Sequence, residues 1–142
     1  MSKNSLQLHI VTQERELVRA ESTSITVMTT EGEITVLPGH IPLFAKLASG
    51  ELIYRSGDAE ESYAVTGGFL DVSPEGEVTV LADHAIRADD INEAMAEEAR
   101  RNAEEALKNK ESKRDFMLAE ASLRQALNEL TIATKRKRTS RF

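Results

Sequence analysis

Hydrophobic and polar residues follow two different periods along the chain, and the change falls near Asp83. Before that residue, apolar side chains recur at every second position in several short runs. The runs lie at residues 6–10, 25–27, 34–36, 52–54, 63–65, 69–72 and 78–80. A period of two places successive side chains on opposite faces, so each run predicts a strand with one buried face. Turn-forming residues separate the runs at spacings typical of a sandwich or barrel, so residues 4–83 are predicted to form an antiparallel β-sandwich.

Two glycine-containing segments give this half its predicted corners. Gly67 and Gly68 are expected to form a break between the strands at 63–65 and 69–72. A dinucleotide-binding loop is not expected there, because the third glycine and the following helix of such a loop are absent. Pro38 and Pro42, on either side of Gly39, must end the strand at 34–36. The second corner positions a loop.

After Asp83 the chain contains no glycine or proline, and apolar residues recur every three or four positions. This period predicts two helices. The buried stripe of the first is expected to be Ile91, Met95, Ala99, Ala103, Ala106 and Leu107. The stripe of the second is expected to be Phe116, Ala119, Leu123, Ala126, Leu127, Leu130 and Ala133. Asp90 and Ser112 have the spacing of helix caps, and the short join at 109–111 predicts an antiparallel pair.

The predicted fold is therefore α+β, with an N-terminal antiparallel β-sandwich at 1–86 followed by a C-terminal antiparallel α-helical hairpin at 87–142. The first helix offers only three sizeable apolar side chains, worth roughly 5 to 9 kcal/mol in all when fully buried, before ordering entropy is subtracted. Because so little apolar surface is available to hold the helices, we hypothesise that the hairpin opens, or moves off the sandwich as a unit.

Composition excludes several classes of function. The chain has no cysteine, which rules out disulfides, a thiol nucleophile and thiolate metal sites. Its three histidines are scattered, so we expect no metal site and no cofactor. No apolar run approaches the roughly 20 residues of a membrane span, and no signal peptide is evident, so a soluble protein is expected.

The net charge of −6 is unevenly distributed. Residues 1–84 carry 13 acidic and 5 basic side chains, whereas residues 85–142 carry 11 acidic and 13 basic ones. Much of the positive charge lies in the last eight residues. Two halves of opposite bias suggest two different neighbours.

Three segments carry a resemblance to a known family. They are Gly32-Glu33-Ile34-Thr35-Val36-Leu37-Pro38-Gly39-His40-Ile41-Pro42-Leu43, the Gly-Gly strand start at 66–72, and the junction at 78–91. In this order, at these distances and before an alanine-rich hairpin, they resemble the epsilon subunit of F-type ATP synthases.

The resemblance implies a non-catalytic subunit of the rotary central stalk, with the gamma subunit, the c-ring and the catalytic alpha and beta subunits as partners. It further implies that the sandwich couples proton flow to ATP synthesis, while the hairpin inhibits ATP hydrolysis. The implied location is peripheral, on the cytoplasmic face of the bacterial inner membrane.

The resemblance also assigns roles to particular residues. Glu33 and His40 are implied to face the c-ring, and Thr12 and Gln13 the gamma subunit. The candidates for contact with acidic loops of the beta subunits are Lys108, Lys110, Lys113, Arg114, Lys135, Arg136, Lys137 and Arg138, with the rest of the basic tail to Arg141. Such an attraction steers docking and weakens with salt.

Some members of that family bind ATP through an Ile/Leu-Asp-x-x-Arg-Ala motif at the start of the first helix. The corresponding segment here is Ile91-Asn92-Glu93-Ala94-Met95-Ala96. Asn92 and Met95 replace the motif's aspartate and arginine, which removes a charge and a bidentate donor. Arg100, Arg101 and Arg124 remain as candidates for a weak nucleotide contact.

Two other classes of function are less well supported by the sequence. A β-sandwich binding module with a basic helical tail for nucleic acid is the main alternative, although Phe142 is the tail's only aromatic residue. A hydrolytic enzyme is disfavoured, because no nucleophile, base and orienting group can be assembled from these residues.

Overall fold

A computed structural model describes residues 4–109 and 112–140 of the chain. The chain divides into two compact units, Met1–Arg87 and Ala88–Phe142. The first contains strands and the second contains helices, as the change of period predicted. Neither helix in the described part of the chain has the length and apolarity that a membrane span requires.

The described part of the first unit, residues 4–87, contains eight strands. They are β1 (Leu6–Val11), β2 (Glu16–Ser22), β3 (Ser24–Thr29), β4 (Gly32–Val36), β5 (Leu43–Leu47), β6 (Gly50–Ser56), β7 (Ala59–Val72) and β8 (Glu77–Arg87). Their order is β2-β1-β8-β7-β5-β3-β4, and β6 joins β3 to β7. The predicted β-sandwich is confirmed, with one difference. All neighbours are antiparallel except β1 and β8, which pair in parallel.

The core of the sandwich comes from the alternating runs. Leu6, Leu8 and Ile10 of β1 are almost completely buried, and so are Val78 and Val80 of β8, in register with Leu8 and Ile10. Buried residues on each of the strands β2 to β7 complete one hydrophobic cluster. The alternation in sequence therefore identified the inward face correctly.

Two strands, β2 and β5, were not predicted. β2 lies at one end of the strand order, pairs only with β1, and buries only Val18 and Ser22 fully. Its other apolar residues, Leu17 and Ala20, are only partly buried, and apolar residues do not alternate along this strand. β5 follows Pro42 directly and has a single fully buried residue, Leu47.

The prediction that Gly67 and Gly68 separate two strands was wrong, because both lie inside the long strand β7. Residues 59–65 of this strand pair with β6, and residues 68–72 pair with β5. Gly68 has φ 119°, and a Cβ there would lie 2.0 Å from the carbonyl oxygen of Leu81. The two glycines thus allow one strand to change its partner while β8 stays paired along the other side.

The second unit starts with a short 3₁₀ turn at Ala88–Asp90, followed by α1 (Glu93–Lys108) and α2 (Lys113–Ser140). The predicted cap at Asp90 was wrong, because Asn92 is the N-cap and its side chain accepts a hydrogen bond from the backbone N–H of Met95, at 3.1 Å. The predicted cap at Ser112 is confirmed, since its Oγ accepts from the backbone N–H of Asp115. The two helices differ in length, with 16 residues in α1 and 28 in α2.

Alanine dominates the buried faces of the hairpin. On α1 the buried residues are Ala96 and Ala103, while Met95 is 67% exposed. The predicted stripe of α1 was therefore wrong at Met95, Ala99 and Ala106, which are exposed, and right at Ala103. On α2 the predicted Ala119, Ala126 and Ala133 are buried. Leu127 is exposed instead of buried, and Ile132, which was not predicted, is buried.

Candidate partner-binding surfaces

Two stacked phenylalanines stand on the outer surface of the sandwich. The rings of Phe44 on β5 and Phe69 on β7 have centroids 5.4 Å apart, and Leu81 on β8 is directly opposite Phe69. These side chains are 66%, 42% and 51% exposed respectively. We call Phe44, Phe69 and Leu81 the aromatic face. Grouped apolar side chains on three neighbouring strands are typical of a surface that another protein covers.

The sequence contained a signal for this face that the prediction of function did not use. Leu70, Val80 and Ala82 are buried, so the strand period turns Phe69 and Leu81 outward. Large apolar residues in the outward phase of a strand are the feature to look for.

The loop between β4 and β5 holds His40. The backbone N–H of His40 donates to the carbonyl of Leu37 at 3.0 Å, and its Nδ1 lies 2.7 Å from the carbonyl oxygen of Ile41. Leu37 and Ile41 themselves are exposed. The loop therefore presents apolar side chains beside a half-buried histidine.

Glu33 is exposed on β4, the strand that precedes this loop. Within the part of the chain that the structure describes, Glu33 and His40 form no hydrogen bond or ion pair with each other. Both belong to β4 or to the loop that follows it, and β4 ends the strand order.

Thr12 and Gln13 lie in the turn between β1 and β2. The backbone N–H of Thr12 donates to the carbonyl of Arg15 at 2.9 Å, while Thr12 Oγ1 accepts from the backbone N–H of Glu14 and Arg15. The turn borders a groove of about 380 Å³, whose other wall is formed by Asp83, His84 and Ala85 of β8. The structure thus brings the two predicted residues together with a part of β8 that was not predicted.

The candidate basic residues of the hairpin fall into two groups. Lys108 ends α1, and Lys113 and Arg114 begin α2, so these three lie at the turn of the hairpin. Lys135, Arg136, Lys137 and Arg138 lie near the other end of α2. Lys113 and Lys135 are 22 positions apart, which corresponds to roughly 33 Å of helix. Lys110 and Arg141 lie outside the described residues.

Two ion pairs join the end of α2 to the start of the helical unit. Arg136 Nη2 donates to Asp89 Oδ1 at 2.6 Å, and Lys137 Nζ lies 2.9 Å from Glu93 Oε1. We call these four side chains the hairpin clasp. They line a groove of about 450 Å³ together with Ala88, Ile91 and Ala133. The clasp therefore lies at the open end of the hairpin, away from its turn.

The arginines predicted for a weak nucleotide contact have carboxylate neighbours on their own helices. Arg100 donates to Glu97, and also to Glu104 Oε1 at 2.5 Å. The hydrogen bond from Arg100 lowers the pKa of Glu97, and its two carboxylate partners raise the pKa of Arg100. Arg124 donates to Glu120 at 3.3 Å, while Arg101 is exposed. A phosphate at Arg100 must compete with two carboxylates.

Nothing in the described residues indicates a metal centre. Within residues 4–109 and 112–140, no three histidine, aspartate or glutamate side chains are close enough together to hold a metal ion. The surfaces that the structure does present are an apolar face, exposed loops and charged helix ends, which are features of contact with other proteins.

Comparison with known families covers both units. Residues 5–88 match the family model described as ATP synthase, Delta/Epsilon chain, beta-sandwich domain, and residues 89–134 match that of the long alpha-helix domain. The ATP synthase epsilon chain of Herpetosiphon aurantiacus is 42% identical over 132 residues, covering 93% of this chain and 96% of the relative. That of Herminiimonas arsenicoxydans is 43% identical over 129 residues, covering 89% and 91%.

Solved structures give the same result. A chain of the Euglena gracilis mitochondrial ATP synthase, in a structure of OSCP, F1 and c-ring, matches with a TM-score of 0.74 and 25% identity, covering 92% of this chain and 81% of that one. A chain of the Tetrahymena thermophila mitochondrial ATP synthase central stalk and c-ring matches with a TM-score of 0.56 and 12% identity, and supports the fold alone. The resemblance noted in the sequence is confirmed, and this chain belongs to the ATP synthase delta/epsilon family, among its epsilon chains.

Proposed function

We propose that this chain is a non-catalytic subunit of the central stalk of a proton-translocating F-type ATP synthase, where it couples rotation to ATP synthesis. The observation that carries the proposal is the aromatic face on a sandwich of this family. A stacked pair of exposed phenylalanines is suited to a permanent protein neighbour. The complex holds the subunit at the membrane surface, on the cytoplasmic face of the bacterial inner membrane.

The sandwich has separate surfaces for its two proposed neighbours. Thr12 and Gln13, beside their groove, are proposed to meet the gamma subunit. Glu33 and His40 are proposed to meet the polar loops of the c-ring. The exposure of Leu37 and Ile41 supports the second assignment, because apolar side chains at a loop tip gain from burial against a partner.

We infer that the hairpin inhibits ATP hydrolysis by docking its basic residues on acidic loops of the catalytic beta subunits. The turn group of Lys108, Lys113 and Arg114 consists of exposed side chains, which an acidic partner can reach without unfolding. The alanine-rich buried faces of α1 and α2 support a hairpin that changes its arrangement, since alanine adds little apolar area.

Reconstitution with alpha, beta and gamma subunits tests this function. The full chain is compared with a chain ending at Ala88, which retains the whole sandwich. We expect both to assemble and only the full chain to slow ATP hydrolysis, with the inhibition weakening as salt is raised. Equal hydrolysis rates would remove the inhibitory role and leave the coupling role standing.

A second measurement tests the stalk assignment itself. Failure of both chains to join a complex of gamma subunit and c-ring would contradict it. Tight binding of DNA or RNA by the full chain at physiological salt would contradict it as well, and would support the nucleic-acid alternative.

A further inference from the structure

We propose that Asp89 and Glu93 act as an internal competitor for the acidic partner of α2, so that the hairpin clasp regulates when Arg136 and Lys137 become available. The proposal rests on the proposed docking of the hairpin's basic residues. It adds that Arg136 and Lys137 are already paired within their own unit, whereas no ion pair is seen for Lys108, Lys113 or Arg114 among the residues that the structure describes.

The geometry of the clasp carries the first step. Asp89 and Arg136 are 47 residues apart in sequence, and their ion pair links the 3₁₀ turn to the last turns of α2. The second pair, Glu93 with Lys137, links the first residue of α1 to the same turns. Asp89 and Glu93 are four residues apart, and their partners are adjacent. The two pairs therefore act on one short segment of α2.

The surroundings of the clasp carry the second step. Ala88 and Ala133, which line the same groove, are buried, and so is Ile132. The hairpin is covalently closed at 109–112 and depends on noncovalent contacts at its open end. With alanine on most of the buried faces, opening from this end requires loss of the clasp and of little apolar area.

Exposure of the charged groups makes the clasp reversible. The side chains of Arg136 and Asp89 are 38% and 52% exposed, and those of Lys137 and Glu93 are 66% and 38% exposed. Ion pairs at such positions are weak and are screened by salt. All four charged groups of the clasp are accessible to solvent. A partner that presents several carboxylates can therefore reach Arg136 and Lys137 and displace Asp89 and Glu93.

The same geometry describes the chemistry of the partner. Asp89 and Glu93 engage the adjacent residues Arg136 and Lys137 within the hairpin, at 2.6 and 2.9 Å. The competing ligand is accordingly an acidic protein segment with two carboxylates close enough together to engage both basic residues at once. The clasp then makes docking of this group conditional on such a segment.

Two double variants of the full chain separate regulation from a merely structural role. D89N/E93Q removes the internal competitor and leaves both basic residues in place. R136Q/K137Q removes the same ion pairs from the other side. The matched control, D90N/E98Q, removes two nearby exposed acidic side chains that are outside the clasp.

The first readout is hydrogen exchange of the backbone amides of residues 130–138 in the isolated chain at low salt. We expect exchange about three- to tenfold faster in both clasp variants and within twofold of the parent in the control. The second is binding of a poly-glutamate peptide. We expect about threefold tighter binding by D89N/E93Q and weaker binding by R136Q/K137Q.

The decisive result is the comparison with D90N/E98Q, which has the same change of net charge: D89N/E93Q should bind poly-glutamate about threefold tighter than this control. If D89N/E93Q exchanges like the control, or binds poly-glutamate no better than the control, internal competition is excluded. Neither readout involves ATP hydrolysis, so failure of the inhibitory role and failure of the clasp remain distinguishable.

Discussion

The two units of this chain are stabilised by different kinds of interior. In the sandwich, the largest fully buried side chains are Leu6, Leu8, Ile10, Ile25, Leu52 and Leu70. In the described part of the helical unit, the buried apolar residues are six alanines and Ile132. Each buried Leu or Ile contributes about 1.5 to 3 kcal/mol by transfer from water, and an alanine contributes far less. We call the sandwich, residues 4–87, the platform and the helical unit, residues 88–140, the arm. The difference between their interiors leads us to expect that the platform is the more stable of the two.

The largest effect on stability is expected at the point in the sandwich where β7 changes its pairing partner. Gly68→Ala places a Cβ against the backbone of Leu81 at a residue with φ 119°, so we expect a loss of about 4 kcal/mol in the free energy of unfolding, measured with urea. The control Gly57→Ala also has a positive φ but no atom within 4 Å, so it should lose only about 1 kcal/mol. Equal losses would mean that the close approach to β8 is unimportant.

Equivalent truncations in the interiors of the two units should cost different amounts of the free energy of unfolding. Leu8→Ala removes a completely buried side chain of the sandwich and should lower the free energy of unfolding by about 3 kcal/mol. Leu123→Ala removes a half-buried side chain of α2 and should lower it by about 1.5 kcal/mol. Urea unfolding followed separately by a probe on each unit measures both. A larger loss for Leu123 would reverse the assignment of platform and arm.

The N-cap of α1 is expected to affect the stability of the helical unit alone. Asn92→Ala removes the N-cap of α1 and should destabilise this helix by about 1 kcal/mol, seen as faster hydrogen exchange of the amides at its start. Asn102→Ala, at an exposed position within the same helix, is the control and should have no such effect. If exchange in the first turn is unchanged in the cap variant, the cap does not limit opening.

An exposed aromatic residue of the sandwich is expected to matter for assembly with partner subunits and much less for stability. Phe44→Ser should lower the free energy of unfolding by only about 0.5 kcal/mol, because the ring is largely exposed. It should nevertheless weaken assembly with the gamma subunit and c-ring about tenfold, as expected of an aromatic residue that a partner buries. Leu118→Ser, at a similarly exposed apolar residue of α2, is the control for assembly. Normal assembly of the Phe44 variant would remove the aromatic face from the interface.

The fold class could be predicted because periodicity survives folding in long, regular segments. Runs such as Leu6–Val11 alternate in the structure as they do in the sequence. The strand β2 was missed because its apolar residues Leu17, Val18 and Ala20 do not alternate with polar ones. The phase of α1 was wrong because Met95 and Ala96 both fit an apolar stripe when neighbours are mostly alanine. Only packing decides between them.

The candidate surfaces were predictable to different degrees. Thr12 and His40 were identified through a resemblance, and the structure describes the turn and the loop that hold them. The clasp was not predicted, because no local pattern relates Asp89 to a residue 47 positions later. The aromatic face required knowledge of which strand positions point outward. Contacts between distant segments depend on tertiary structure, which a single sequence does not reveal.

The parallel pairing of β1 with β8 affects the order in which the chain is made and folded. β1 is synthesised before the other strands of the sandwich, but one of its two neighbours, residues 77–81, is among the last parts of the sandwich to be made. Contacts between such distant segments slow folding, because a long loop must close before they form. During synthesis, the exposed edge of the first strand therefore waits for most of the sandwich, and residues 88–142 are made only after its partner exists.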